Sequence, residues 1–191
     1  IIRMKNSYYI NPEKLLENYT TKFCFITSSH NQSQFIDENI ASILLQDYEP
    51  YRIIYINDAS TDNSLDILNK LIETRHGIDI QLITNEERLG PAYSRFIGCK
   101  RAHDDEICVF LDGDDTLYSK DVLSILAEVY QNPNIHATFG SMYGRPQQLW
   151  HNQSFKRSSR VFFPHLRTAK AYYCKQVPKS YLVDENDKWF M

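Results

Sequence analysis

Three carboxylates crowd the segment Val109-Phe110-Leu111-Asp112-Gly113-Asp114-Asp115, directly after an apolar run that reads as a buried strand. Adjacent anions repel one another. A hard divalent cation relieves that repulsion by taking one or two carboxylates and completing its oxygen shell from substrate phosphates. The segment therefore suggests a site for a metal-bound diphosphate; an exposed acidic turn, Asp-Gly being a common turn dipeptide, or a purely structural metal site are the alternatives. A second segment, Asp58-Ala59-Ser60-Thr61-Asp62-Asn63-Ser64, also follows an apolar run. Asp58 stands where a carboxylate could accept a hydrogen bond from a pyrimidine imide or a ribose, whereas Asp62 to Ser64 are residue types that cap a following helix.

Other polar residues give weaker patterns. His30, His76, His103, His136 and His151 lack ligand spacing. Cys24, Cys99, Cys108 and Cys174 show neither CxxC spacing nor a small secreted framework, and their apolar surroundings suggest buried reduced thiols in a reducing compartment. Arg95 and Arg101 fall on a helix and are expected to be solvated, as helix-face arginines usually are. The tail is rich in bases (Lys156, Arg157, Arg160, Arg167, Lys170, Lys175) and in aromatics (Trp150, Phe155, Phe162, Phe163). A solvated face and core packing account for such a stretch.

The elements that must position these residues alternate strand with helix. Lys22 to Thr27, Tyr51 to Ile56, Ile78 to Thr84 and Glu106 to Leu111 read as strands, with a further one at Ala137 to Tyr143. Helical spacing appears from Phe35 to Leu44, Ser64 to Glu73, Pro91 to Ala102 and Asp121 to Tyr130. This βαβα regularity predicts a mostly parallel sheet covered by helices. Ligands of such open sheets lie outside the carboxyl ends of the strands, which here carry Thr27 to Asn31, Asn57 to Asp62, Asn85 to Arg88 and Asp112 to Asp115. The first of these loops holds no GxGxxG turn and the chain has no GxxxxGK[ST] sequence, so neither a dinucleotide cradle nor a P-loop is available.

The chain's 191 residues suit one domain, and 42% apolar with 24% charged residues exclude a disordered, collagen-like or membrane-spanning composition. A net charge of -3 supplies no global attraction to nucleic acid or an anionic membrane, and no apolar run approaches the ~18 residues of a transmembrane helix. The start Ile1-Ile2-Arg3-Met4 lacks an initiator Met and a signal-peptide pattern, which suggests a segment of a longer protein with a further domain.

An ordered set of motifs resembles the family 2 inverting glycosyltransferases: Ile26-Thr27 to Asn31, Ala41-Ser42-Ile43-Leu44-Leu45-Gln46, Ile56 to Ser64, Arg88-Leu89-Gly90-Pro91-Ala92, and Leu111 to Asp115. It covers roughly residues 20 to 135, and the tail segments His165-Leu166-Arg167-Thr168 and Asp184 to Phe190 are similar to one branch of that family. The resemblance implies a GT-A (Rossmann-like) three-layer α/β/α sandwich with a mostly parallel central sheet, its C-terminal part truncated. Residues 1–20 would be an extension, 21–145 the nucleotide-sugar-binding core and 146–191 the start of the acceptor side.

It also implies metal-dependent transfer of a hexose from a nucleotide-diphosphate sugar, by default a UDP-sugar, to a hydroxyl on a glycan, protein or lipid. Thr27, Ser28, Asn31 and Asp58 would hold the nucleotide, with Arg88, where Asn is commoner in the family, beside base and diphosphate. Asp112, Gly113 and Asp114 form the DxD signature. Asp114 or Asp115 would bind Mn²⁺ or Mg²⁺, while another carboxylate touches the donor ribose. His165 and Arg167 would meet the diphosphate. The family's general base is an Asp on the acceptor side, expected past Met191; Asp184 and Asp187 are the late candidates, an exposed turn being their alternative. Expected partners are the sugar nucleotide and its acceptor, not nucleic acid, in the cytoplasm or on the cytosolic face of a membrane. Two other classes fit an α/β nucleotide site. A nucleotidyltransferase would need a Gly-rich basic loop near the first strand, which is missing from the sequence; the other is a non-catalytic sugar-nucleotide-binding or assembly domain.

Overall fold

Alternation with period two sorts the strand side chains onto two faces. In strand β1 (Lys22–Ser29), Phe23 and Phe25 face one way while Cys24 and Ile26 face the other. Strand β2 (Tyr51–Asn57) likewise sends Ile53 and Tyr55 to the first face and Ile54 and Ile56 to the second. Strand β4 (Glu106–Asp112) follows, with Ile107, Val109 and Leu111 opposed to Cys108 and Phe110. Both faces are apolar because both are covered, as parallel sheets require.

The computed structural model describes residues 21–74, 77, 79–140 and 166–190. Strands β3 (Ile80–Thr84), β5 (Ala137–Phe139) and β6 (Arg167–Lys170) complete a six-stranded sheet of order β3-β2-β1-β4-β6-β5. The pairs β1–β2, β1–β4 and β2–β3 are parallel, whereas β6 runs antiparallel to both β4 and β5. Helices α1 (Ile36–Leu44), α2 (Ser64–Thr74) and α4 (Val122–Tyr130) pack on the first face through residues such as Ile40, Ile43, Leu68 and Leu123. Helix α3 (Gly90–Arg101) and the one-turn α5 (Ala171–Cys174) cover the second through Cys99 and Ala171. The three layers and the mostly parallel sheet agree with the GT-A architecture expected from sequence.

Three departures from the sequence reading matter for the site. Strands β1, β2 and β4 run on to Ser29, Asn57 and Asp112, one or two polar residues beyond the apolar runs, because Ser28 is in register with Ile56 on one side and Asp112 on the other. The strand expected at Ala137 to Tyr143 is described only to Phe139 and is not part of the parallel set; residues 141–143 lie outside the described residues, as does Ile78. The aperiodic tail supplies β6, which fills the position between β4 and β5.

At the amino ends of the strands, buried Glu106 receives both Arg52 Nε (2.7 Å) and Arg52 Nη2 (3.0 Å), and His103 N as well (2.6 Å). Polar side chains with exchangeable partners gather instead at the opposite, carboxyl rim.

Candidate functional site

Because β2, β1 and β4 are parallel neighbours, the loops that follow them share one rim. Backbone bonds fasten these loops together: Asp58 N donates to Ser29 O (2.9 Å), and Gly113 N donates to Ser28 O (3.0 Å). Gly113 sits so close to β1 that an added Cβ would stand 2.7 Å from Ser29 Cβ and 2.9 Å from Ser28 O, so only glycine fits between Asp112 and Asp114. Asn39 of α1, wholly buried, donates Nδ2 to the carbonyls of Asp112 (3.0 Å) and Asp115 (2.7 Å) and so fixes the acidic loop from below. The Ala41 to Gln46 motif does similar work farther along. Ser42 Oγ accepts from Leu117 N (3.1 Å), Gln46 Nε2 donates to Ser119 O (2.7 Å), and Gln46 Oε1 accepts from Leu123 N (3.1 Å).

Asp58 is buried, and its carboxylate organises the loop after β3. Oδ1 accepts from Asn85 Nδ2 (2.7 Å) and Leu89 N (2.9 Å), and Oδ2 from Gly90 N (2.8 Å). Gly90 has φ +83°, a left-handed conformation natural to glycine, which turns the chain into α3 with Pro91 in its first turn. Asp62 serves α2 as its sequence suggested, accepting from Ser64 N (3.0 Å), and it accepts from Ser33 N as well (3.0 Å). Burial, which would raise its pKa, is outweighed by hydrogen bonds from Ser64 and Ser33 that hold the carboxyl down to about 2.

Asp112 is answered by two arginines. Arg95 Nη2 donates to Oδ1 at 2.6 Å, and Arg167 Nη2 lies 3.6 Å from Oδ2. The expectation that Arg95 is solvated is therefore corrected: α3 turns it inward along the rim, while Arg101 alone stays exposed. Arg167, the first residue of β6, reaches the same carboxylate from the antiparallel strand. Burial and the like charge of Arg95 lower its pKa, against Asp112 and Asp115, which raise it. The Nε atoms of Arg95 and Arg167 are both buried without a hydrogen-bond partner among the described residues. Buried donors of that kind ordinarily meet an acceptor, from ordered water or from a ligand.

These groups border a cavity of about 240 Å³ lined by Ser28, Ser29, His30, Gln32, Asp58, Arg88, Gly90, Pro91, Ser94, Arg95, Asp112 and Asp114. That volume is below the ~300–1,000 Å³ that encloses a drug-sized ligand, so the cavity would enclose only part of a nucleotide, the rest projecting outward. Five residues singled out from sequence line it: Ser28, Asp58, Arg88, Asp112 and Asp114. Thr27 does not, being buried within β1. Asn31 instead ties two loops together, its Oδ1 accepting from Thr61 N at 2.7 Å. His165 lies outside the described residues. His30, Gln32, Ser94 and Arg95 carried no local signal beyond their place near a strand or helix end.

The acidic loop does not gather three carboxylates around one point. Among the described residues the cluster of three close donor atoms is one of cysteine sulfurs. Asp112 is already engaged by arginine, whereas Asp114 is exposed at the cavity with Asp115 next to it. One or two carboxylates beside a diphosphate are what Mn²⁺ or Mg²⁺ takes, so the donor set fits such an ion. Asp184 and Asp187 do not line the cavity. Asp184 Oδ1 accepts from Asn186 N and Lys188 N (both 2.9 Å), Asp187 pairs with Lys179 Nζ (2.6 Å), and the two close an exposed turn whose Trp189 packs on Tyr93 and Phe96 of α3.

The family model of Glycosyl transferase family 2 matches residues 24–182. An uncharacterized glycosyltransferase of Haemophilus influenzae is 33% identical over 103 residues, 54% of this chain and 40% of that protein. A poly-beta-1,6-N-acetyl-D-glucosamine synthase of Staphylococcus aureus is 30% identical over 118 residues, 61% of this chain and 27% of that protein. The chain thus spans less than half the length of either relative. Among solved structures, S. aureus TarS 1-349 in complex with UDP matches with TM-score 0.61 at 22% identity, over 90% of this chain and 50% of that one. The mannosyltransferase PcManGT from Pyrobaculum calidifontis, in complex with GDP-Man and Mn²⁺, matches with TM-score 0.59 at 21% identity, over 68% and 41%.

Proposed function

The chain belongs to glycosyl transferase family 2, and on that premise we propose that its carboxyl-rim cavity binds a nucleotide-diphosphate sugar and supports inverting transfer of the sugar to an acceptor hydroxyl. The observation that supports this reading is that Arg95 and Asp112 line the cavity with Asp58 and Asp114, while Arg167, which does not line it, reaches Asp112 from β6; both arginines keep a buried Nε without a partner among the described residues. Two guanidinium groups beside one carboxylate suit a diphosphate better than a neutral ligand. UDP is the default nucleotide, and GDP is the fitting comparison.

In this reading Asp114, with Asp115 adjoining, holds Mn²⁺ or Mg²⁺, and Asp112 is left to orient the arginines and meet the ribose. The metal, when bound, supplies charge neutralisation to the diphosphate leaving group. Arg95, and Arg167 beside it on Asp112, would donate to the diphosphate as negative charge develops there. The acceptor oxygen forms its bond to the anomeric carbon on the face opposite the breaking C–O bond. The electron pair of that bond leaves with the diphosphate, and the acceptor's proton passes to a carboxylate on the acceptor side. Asp184 and Asp187, engaged in an exposed turn and not lining the cavity, are not placed for that role.

Calorimetry with UDP, GDP and CDP, each with and without Mn²⁺, tests the proposal. Metal-dependent binding of UDP is expected. Arg95→Ala should weaken it about 10–100-fold, the scale of hydrogen bonds to charged groups. Absence of binding to all three nucleotides, or equal binding by wild type and Arg95→Ala, contradicts it.

A further inference from the structure

Away from the cavity, the second face of the sheet brings together three of the chain's four cysteines. The sulfurs of Cys99 in α3, Cys108 in β4 and Cys174 in α5 all lie within 4.8 Å of one another. Cys99 and Cys108 are buried and Cys174 is half-buried, so the group is enclosed on the sheet side and reachable past α5. Three thiolates around one metal at ~2.3 Å stand about 4.0 Å apart, so rotation of the side chains by under an ångström closes the set. Cys24, in register with Cys108 across the β1–β4 pair, is not one of the three.

We propose that Cys99, Cys108 and Cys174 form a binding site for a single thiophilic metal ion, of the Zn²⁺ or Cu⁺ class, that staples α5 to α3 and β4. Cys99 and Cys108 come from consecutive elements and Cys174 from the far end of the chain, and nothing in a buried apolar layer requires thiols at all three positions. Soft thiolates select this class of ion over the hard Mn²⁺ or Mg²⁺ that carboxylates take, so the two sites do not compete.

The staple has a mechanical consequence. Cys99 lies one turn after Arg95 in α3, Cys108 lies four residues before Asp112 in β4, and Cys174 ends the helix that follows Arg167 on β6. The segments tied by sulfur are therefore the same ones that bring Arg95, Asp112 and Arg167 together, about 13 Å farther along the strand at ~3.3 Å per residue. The inference stands on the sulfur geometry alone and does not depend on the nucleotide reading.

Titration of the chain with Cd²⁺, under a phosphine reductant that keeps thiols free, tests it. One equivalent should bind with a thiolate-to-metal charge-transfer band, protect Cys174 from alkylation and raise the melting temperature. Cys174→Ser, at a half-buried position that tolerates the change, should abolish the band and lose more than the ~10–100-fold that removing an outer-shell partner costs. Cys24→Ala should keep both. A missing band, or one that survives unchanged in Cys174→Ser, overturns the proposal and leaves the cysteines as small core residues. Should Cys99→Ser or Cys108→Ser fail to fold, the Cys174→Ser titration and the alkylation readout still decide.

Discussion

Asp58 shows how one buried carboxylate can tie a loop of the fold to the wall of a cavity. Its three hydrogen bonds to Asn85, Leu89 and Gly90 hold the loop that presents Arg88 to the cavity. Asp58→Asn would put an amide NH₂ toward either Leu89 N or Gly90 N, donor against donor in a buried site. The expected cost is about 2–3 kcal/mol, read as a lowered midpoint in urea, since hydrogen bonds to charged groups contribute about 1.5–3 kcal/mol. An unchanged midpoint would show that the loop holds itself. Asp62 makes a prediction about pH. Its folded pKa of about 2 lies below the ordinary 3.8, so the stabilisation is present above the ordinary value and is lost as pH falls toward the folded one. Asp62→Asn should therefore melt lower than wild type at pH 6, with the gap closing between about pH 4 and pH 2. A gap of constant size across that range would assign the effect to packing instead.

Helix α3 is the element that converts core packing into site geometry. Gly98 lies so close to β1 that a Cβ would meet Ile26 Cγ2 at 2.4 Å, and Ile26 is a β-branched core residue with little room to turn. Gly98→Ala should cost about 1–3 kcal/mol despite alanine's better helix propensity, and it should weaken nucleotide binding by shifting Arg95 along the rim. Stability equal to wild type would mean that the helix slides freely. The strands and helices up to Tyr130 were legible from apolar runs and helical spacing, most of them because they bury an apolar set; α3, which buries Gly90, Ser94, Gly98 and Cys99, was marked instead by Pro91 near its first turn. Their carboxyl ends were less so, since Ser29, Asn57 and Asp112 pair by register and not by hydrophobicity. Strand β6 could not be seen: Arg167-Thr168-Ala169-Lys170 has no apolar alternation, and what buries it is the pairing with β4 and β5. Arg95 escaped notice for a related reason. Nothing local distinguishes it from Arg101; six residues apart, the two point to different sides of α3, and the first lies at the cavity while the second ends the helix in solvent.

At the scale of the molecule, the parallel order β3-β2-β1-β4 delivers residues far apart in sequence to one rim, and the antiparallel β6 adds an arginine from the tail. The amino rim is closed by Arg52 with Glu106, so charge there is spent on stability, while the carboxyl rim keeps orphaned donors and an exposed Asp114. Among the described residues no helix is long and apolar enough to cross a membrane. On the proposed function, this rim would hold a diphosphate beside a divalent cation carried by Asp114. Electron–nuclear double resonance of Mn²⁺ with the chain and UDP reads that contact directly through coupling to ³¹P. Strong ³¹P coupling in wild type that is lost in Asp114→Asn is the predicted result. UDP bound with no such coupling, or coupling undiminished in Asp114→Asn, would contradict the claim.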